Sequence, residues 1–87
     1  MMNDARQVRD FILKNFLFSE NDATLSDTGS LIAEGVIDST GVLELIMFLE
    51  QTFRIEVAEE EMVPENLDSV EKILAYVGRK RAHPGPA

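Results

Sequence analysis

Apolar side chains recur at three- and four-residue intervals in three segments of the chain, and this is the period of an amphipathic α-helix. The pattern predicts helices over about residues 4–18, 38–53 and 68–81. Their apolar faces hold Val8, Phe11, Ile12 and Phe16, then Val42, Leu45, Ile46, Leu49 and Phe53, and finally Val70, Ile73, Leu74 and Val77. Because none of these helices can bury its apolar face alone, the sequence predicts an all-α fold, a small bundle of three to four helices.

The residues at the predicted helix ends support these boundaries. Asp38 is a favourable N-cap, since its carboxylate can accept the unpaired amide hydrogens of the first turn. Asp68 and Glu71 fit a variant of the capping box, with Asp68 as the cap and Glu71 reaching back. The cationic residues 79–81 suit the negative end of a helix dipole.

A long segment without helical period, about residues 19–37, separates the first two helices. It contains the turn-rich cluster 26–30 and scattered apolar residues that we expect to anchor it on the core. Unstructured connections of more than about 12–15 residues are uncommon in small domains and are often functional. Further along, residues 59–66 are expected to hold one short acidic helical turn that Pro64 ends.

The chain has 87 residues, which fits one domain, predicted over residues 1–82, followed by a disordered tail over residues 83–87. A domain of this size has little scaffold for a deep substrate pocket of its own. Cysteine is absent, and the single histidine, His83, falls in the tail, so thiol chemistry and histidine-based catalysis are both disfavoured. We therefore do not expect an enzyme.

The net charge of −8, from 16 acidic and 8 basic residues, restricts the choice of partners. Most of such a surface would repel nucleic acid and attract a basic protein surface. No metal site is predicted, since cysteine ligands are absent and the acidic run 59–61 is typical of a solvated face. The first residues do not predict a signal peptide, and no apolar run approaches the roughly 20 residues that cross a bilayer. A monomeric cytoplasmic protein without membrane contact is the expectation.

Residues 35–41, Gly-Val-Ile-Asp-Ser-Thr-Gly, form the most informative segment, because they place the Ser39 hydroxyl at the start of the second helix. Unpaired amide groups and the positive end of the helix dipole favour a phosphate ester at such a position. Gly41 is expected to leave the approach to the hydroxyl uncrowded. On these residues alone, the alternative stays open that Ser39 is an ordinary first-turn residue beside an aspartate cap.

From residue 31 to residue 77 the chain resembles the acyl carrier protein family. The resemblance rests on Glu-Gly-Val-Ile-Asp-Ser at 34–39, Glu-Leu-Ile-Met-Phe-Leu-Glu at 44–50 and Phe-Arg-Ile-Glu-Val at 53–57. The family's signature is Asp-Ser-Leu at the start of its second helix, and Asp38 and Ser39 match its first two positions. The order of helix, long loop, helix, short acidic turn and helix also fits this family.

Two positions depart from the commonest family pattern. Thr40 stands where leucine is usual, and Gly41 stands where aspartate or a similar residue is common. The arrangement Asp-Ser-x-Gly is similar to free-standing carriers of amino acids, such as the D-alanine carrier protein. The resemblance therefore leaves acyl and aminoacyl cargo both open.

The resemblance implies that Ser39 carries 4′-phosphopantetheine, a cofactor that comes from coenzyme A, with Asp38 beside it as part of the motif. Since the chain has no thiol of its own, the thiol of this arm would hold the cargo as a thioester. The implied partners are a phosphopantetheinyl transferase and enzymes that activate or transfer acyl or aminoacyl groups. The predicted function is delivery of the cargo to those enzymes.

Beside the modification site, the second helix carries an apolar pair, Leu43 and Met47, next to Glu44 and Glu50. Together with Thr40 they are predicted to form a docking face with an apolar centre and an acidic rim, which suits enzymes with basic patches. Family behaviour favours Glu44 first, and then Met47, as contact residues. The alternative is that Leu43 and Met47 pack against the long loop.

A function from a different class also stays open. The same scaffold would serve as an unmodified acidic helical module whose second helix binds a basic protein. Thr40, in place of the usual leucine, is the feature that keeps this alternative open. Covalent addition of phosphopantetheine to the protein separates the two functions.

Overall fold

A computed structural model describes residues 3–82 of the chain. This part contains no β-strand, and its four α-helices are α1 (Asp4–Ile12), α2 (Ser39–Phe53), α3 (Pro64–Leu67) and α4 (Val70–Ala82). A π-helical segment, Leu13–Leu17, continues α1, and 3₁₀ turns lie at Asp22–Thr24 and Glu59–Glu61. The all-α fold class, the three main helices and the long connection between the first two are confirmed. The predicted domain bounds, residues 1–82, stay a prediction, and the predicted tail at residues 83–87 lies outside the described residues.

The ends of α1 and α2 follow from local chemistry. The Asn3 side chain accepts a hydrogen bond from the Arg6 amide at 2.8 Å and caps α1. At the other end, Phe18 adopts a left-handed conformation with φ of 51° and stops the π-helical segment. Helix α2 ends in the same way at Arg54, with φ of 56°. This left-handed position is the common way for a helix to stop, although glycine usually occupies it.

Two details predicted around α3 and α4 are wrong. Pro64 opens α3 and does not end the preceding turn, because proline has no amide hydrogen and its fixed φ suits the first position of a helix. The N-cap of α4 is Ser69 and not Asp68, since the Ser69 hydroxyl accepts from the Lys72 amide at 3.1 Å. The carboxylate of Asp68 is engaged with the long loop instead. Glu71 therefore does not complete a capping box with Asp68.

The core lies between α1, α2 and α4. Its fully buried side chains come from all three helices: Val8 and Ile12, Leu45 and Leu49, and Val70, Ile73 and Val77. Burying an aliphatic side chain of this size contributes about 1.5–3 kcal/mol, so these residues account for much of the driving force for folding. The long loop adds Leu25, Leu31 and Ile37 to the same cluster. The expected anchoring of the loop is confirmed for these three residues and for Val36, which packs against the core, but it is wrong for Ile32, whose side chain is 51% exposed.

Aromatic rings join α1 and its π-helical continuation to α2. Phe11 stacks on Phe48 with 4.1 Å between ring centroids, and Phe16 meets Phe11 edge-on at 5.6 Å. Such ring pairs add about 0.5–1.5 kcal/mol beyond the area that they bury. Through Phe11 they hold the first helical segment against α2 at Phe48, in the C-terminal half of that helix.

Arg9 ties the long loop to α1. Its side chain, only 12% exposed, donates to the carboxylates of Asp22 and Asp27 and to the backbone carbonyls of Asp22 and Leu25. Arg6 also pairs with Asp22, and hydrogen bonds from Arg6 and then Arg9 hold the pKa of the Asp22 carboxyl below its usual value. The segment therefore has a defined path although it lacks a helical period.

Glu61 links the second 3₁₀ turn to α4. Its carboxylate accepts from the Lys80 ammonium at 2.9 Å, from the Ala58 amide at 3.0 Å and from the Tyr76 hydroxyl at 2.9 Å. These donors, Lys80 first, lower the pKa of Glu61, while burial and then the Glu61 carboxylate raise the pKa of Tyr76. The acidic run 59–61 is thus partly structural and not only a solvated face.

Among the helices of residues 3–82, none combines the length and the apolar character that crossing a bilayer requires.

Candidate functional site

Ser39 is the first residue of α2, and it is exposed together with its neighbours Asp38 and Thr40. The preceding residue, Asp38, is extended, with φ of −102° and ψ of −175°. The chain therefore arrives as an extended segment and winds into the helix at Ser39. The attachment residue predicted from the sequence lies at a helix start and in contact with solvent.

A compact turn over residues 30–37 delivers the chain to this point. The Leu31 carbonyl accepts from the amides of Val36 at 2.8 Å and Ile37 at 3.2 Å. Gly35 has φ of 73°, a conformation that side-chain-bearing residues rarely adopt, and it allows the turn to close. Ile37, next to Asp38, is buried and anchors the end of the turn in the core.

Asp38 caps α2, as predicted. Its carboxylate accepts from the Gly41 amide at 2.7 Å, and its carbonyl accepts from the Val42 amide at 3.0 Å. The amides of Ser39 and Thr40, in the first turn, have no acceptor within the helix. Their hydrogens, together with the positive end of the helix dipole, favour an anionic ester on the Ser39 oxygen.

Gly41 has a role that was not predicted. It is buried, and a Cβ atom at this position would lie 2.9 Å from Cε1 of Phe16 and 3.2 Å from Cγ2 of Ile37. The expectation that Gly41 clears the approach to the Ser39 hydroxyl is wrong, because residue 41 faces inward. Glycine is needed there so that the end of the first helical segment can contact the start of α2.

The chain has five serines, and their surroundings differ. Four of the hydroxyls are engaged: Ser19 accepts from the Asn21 amide, Ser26 from the amides of Thr28 and Gly29, Ser30 donates to Asp68, and Ser69 caps α4. Within residues 3–82, the Ser39 hydroxyl has no hydrogen-bond partner. Ser39 is therefore the serine whose oxygen an enzyme can reach without breaking an existing contact.

The predicted docking residues of α2 share one helical face. Thr40, Leu43, Glu44 and Met47 follow the spacing that brings side chains together on a helix surface, and all four are exposed. Leu43 is 59% exposed and Met47 57% exposed, so neither packs against the long loop. This face lies on the opposite side of α2 from the buried Leu45 and Leu49. It begins next to Ser39, which is the placement that a docking face requires.

Glu50 is only partly exposed and has a structural contact. Its carboxylate accepts from the Val57 amide at 3.0 Å and so holds the segment that follows α2. Among the predicted docking residues, it is the one with such a bond to the backbone. Its position one helical turn beyond Met47 puts it at the margin of the face.

The amino-acid sequence of the chain has relatives among known proteins. The chain is 33% identical over 73 residues to a probable acyl carrier protein, PigG, from Serratia sp. (strain ATCC 39006), which covers 84% of this chain and 83% of that protein. It is also 33% identical over 49 residues to the D-alanyl carrier protein of Abiotrophia defectiva, covering 56% of this chain and 62% of that protein. No protein-family model matches the chain.

Both matched stretches include the start of α2. In a chain of 87 residues, any stretch of 73 or 49 consecutive residues must contain Ser39. The longer match therefore spans Asp38, Ser39 and the turn of α2 that follows, and the shorter match spans at least residues 39–49. With one third of the residues identical across most of both chains, and with the helical fold described above, this chain belongs to the acyl carrier protein family.

Proposed function

We propose that the Ser39 oxygen carries 4′-phosphopantetheine and that the thiol of this arm holds an acyl or aminoacyl group as a thioester. The single observation that supports this most strongly is the exposed, unengaged hydroxyl of Ser39 at the first position of a capped helix. The unpaired amides there favour the phosphodiester, and the absence of cysteine means that the thiol has to come from the arm.

The modification is a phosphoryl transfer from coenzyme A. The Ser39 oxygen forms a bond to the phosphorus that bears the pantetheine group, and the bond from that phosphorus to the second phosphate breaks. Adenosine 3′,5′-bisphosphate leaves, and the proton of the serine hydroxyl passes to a base of the transferase or to solvent. A phosphopantetheinyl transferase catalyses this step, since the chain contributes only the hydroxyl and its setting.

The carrier role then depends on tethering. A cargo on a flexible arm is presented to successive active sites at a high effective concentration, without being released between steps. The chemistry belongs to the partner enzymes, and the chain acts as a monomeric, non-catalytic carrier in the cytoplasm. One relative is named as a probable acyl carrier protein and the other as a D-alanyl carrier protein. The cargo proposed here is therefore an acyl or an aminoacyl group.

Intact-mass measurement tests the modification. The purified protein is incubated with coenzyme A and a broad-specificity phosphopantetheinyl transferase, and we expect its mass to rise by one phosphopantetheine group per chain. A second carrier protein of known reactivity in the same tube confirms that the transferase is active. If that carrier is loaded and this chain keeps its original mass, the unmodified binding module becomes the better explanation.

We further propose that the exposed face of α2, made of Thr40, Leu43, Glu44 and Met47 with Glu50 at its margin, docks on basic enzyme surfaces. Its support is the pair of exposed apolar side chains beside an exposed carboxylate, next to the attachment serine. Apolar contacts would provide the centre of such an interface, and charge complementarity would speed the encounter.

Reversing the charge of Glu44 is expected to weaken this docking. For Glu44→Lys we expect kcat/KM of the transferase to fall about fivefold at low salt, because an exposed ion pair is worth up to about 1 kcal/mol. The loss should shrink as salt is added, since exposed charges are screened over about 10 Å at 0.1 M salt. The measurement is the rate of mass gain at several carrier concentrations and two salt concentrations.

Glu56→Lys is the matched control for this charge reversal. Glu56 is exposed and follows the C-terminal end of α2, a helix of 15 residues that is about 22 Å long. The substitution changes the net charge by the same amount at the far end from Ser39. Equal losses in the two variants would mean that overall charge matters and that the α2 face has no special part in docking.

A further inference from the structure

Asp68, between α3 and α4, holds the loop that leads to Ser39, and the carrier function proposed above gives it no role. Its carboxylate accepts from the Ser30 hydroxyl at 2.6 Å and from the Ile32 amide at 3.0 Å. Its backbone carbonyl accepts from the Leu31 amide at 2.7 Å. One residue thus binds three consecutive residues of a segment that lies 36 to 38 positions away in the sequence.

A neighbouring contact strengthens this junction. The Glu71 amide, in the first turn of α4, donates to the Asp27 carbonyl at 2.9 Å. The segment that leads into α4 and the long loop therefore share two backbone hydrogen bonds, one at Asp68 and one at Glu71. We name the bonds of Asp68 to Ser30, Leu31 and Ile32 the Asp68 clamp.

The Asp68 clamp is connected to Ser39 through a short path of bonded groups. Leu31, whose amide is held by Asp68, offers its own carbonyl to the amides of Val36 and Ile37. Ile37 is followed directly by the cap Asp38 and by Ser39. The position of Leu31 therefore sets where the chain enters α2.

The surroundings of Asp68 favour its charged form in spite of partial burial. Burial opposes ionisation, but the hydrogen bonds from the Ser30 hydroxyl and the Ile32 amide, together with smaller effects of the Lys72 charge and the Leu31 amide, outweigh it and lower the pKa of Asp68. A carboxylate that accepts two such bonds holds its partners more firmly than a neutral acceptor would.

We propose that Asp68 is a positioning residue for Ser39, which acts by holding the turn of residues 30–37 in the one arrangement that presents the serine to the transferase. This inference rests on the proposed function and extends it, since it assigns the presentation of the attachment site to a residue outside the Asp-Ser motif and about 30 positions away. Asp68 does not contact the reacting atoms.

The expected kinetic signature follows from a population argument. When only a fraction of the molecules holds the serine in place, the apparent affinity for the transferase falls by that fraction, while the bound complex reacts as before. If loss of the carboxylate leaves roughly a tenth to a third of the molecules in the binding arrangement, KM rises about three- to tenfold with little change in kcat.

The test compares Asp68→Ala with Asp68→Asn. Both substitutions remove the same negative charge, but asparagine keeps an oxygen that can accept from the Ile32 amide. We expect KM for the transferase to rise about three- to tenfold in Asp68→Ala and less than about threefold in Asp68→Asn. Ile73→Val, a buried change in α4 that lowers stability without removing a hydrogen bond to the loop, serves as the control and should leave KM unchanged.

Amide hydrogen exchange gives a readout that does not depend on the modification. The amides of Ile32, Val36 and Ile37 should exchange faster in Asp68→Ala than in the unaltered protein, and Ile73→Val should not show this local effect. Unchanged exchange at these amides would overturn the proposal, and so would faster exchange with an unchanged KM. Equal rises of KM in Asp68→Ala and Asp68→Asn would overturn it too, because charge alone would then explain them.

The two proposals fail in different ways. If the unaltered protein is not modified at all while a reference carrier is, the proposed carrier chemistry fails. The exchange experiment then decides by itself whether Asp68 holds the turn of residues 30–37.

Discussion

Ser39→Ala is expected to abolish the gain of phosphopantetheine completely, because no other serine of the chain combines exposure with a place in the first turn of a helix. The remaining serines are engaged with backbone groups or with Asp68, and Ser69 is buried. The substitution removes one exposed oxygen at the surface of a helix end, so the fold should be retained. Intact mass after incubation with coenzyme A and the transferase measures the result, and circular dichroism checks the helix content.

Thr40→Ala is the matched control for this loss. Thr40 carries an exposed hydroxyl on the adjacent residue of α2, one step of about 100° around the helix axis from Ser39. We expect Thr40→Ala to be loaded to one group per chain, although its rate can fall because Thr40 belongs to the docking face. Loading of Ser39→Ala, or loss of loading in Thr40→Ala with Ser39 intact, would move the attachment site to Thr40.

Much of the fold could be predicted because the relevant signals are local. The apolar spacing of α2 and the cap at Asp38 depend on residues within one or two helical turns, and both are confirmed. The same holds for α1 and α4, whose apolar faces are buried as the periodicity indicates. For the site, the Asp-Ser pair and the start of a helix were sufficient to place Ser39 at an exposed helix end.

Contacts between distant segments could not be predicted in this way. Asp68 is a residue type that often caps helices, and it lies three residues before Glu71, as in a capping box. Its carboxylate nevertheless binds Ser30 and Ile32, and Ser69 takes the capping position. The positions of Asp22 and Asp27 in the sequence likewise do not indicate that Arg9 binds both of their carboxylates. The choice between such partners depends on how the loop packs on the bundle, and periodicity in one segment carries no information about that.

Gly41→Asp is expected to destabilise the protein by about 2–5 kcal/mol, although aspartate is common in the family at this position. In the first turn of a helix an acidic residue normally stabilises by about 0.3–1 kcal/mol, and aspartate forms helix slightly better than glycine. Here those gains are outweighed, because the new Cβ would lie 2.9 Å from Phe16 and 3.3 Å from the Asp38 carboxylate. Overpacking costs about 1–3 kcal/mol, and an unpaired carboxylate in a buried position costs about as much again.

Two further variants separate the steric cause from the electrostatic one. Gly41→Ala adds the same Cβ without the charge, so its overpacking is offset by about 1 kcal/mol of helix propensity, and we expect a net loss of only about 0–2 kcal/mol. Phe16→Leu should make Gly41→Ala less costly, because a smaller side chain relieves the contact, and a double-mutant cycle would give a coupling of about 0.5–3 kcal/mol. Urea denaturation measures the free energy of unfolding of Gly41→Asp and of the four proteins of the cycle. If Gly41→Asp instead raises this free energy, the first turn of α2 does not pack on Phe16 as described, and the position of Ser39 against the end of the first helical segment has to be revised.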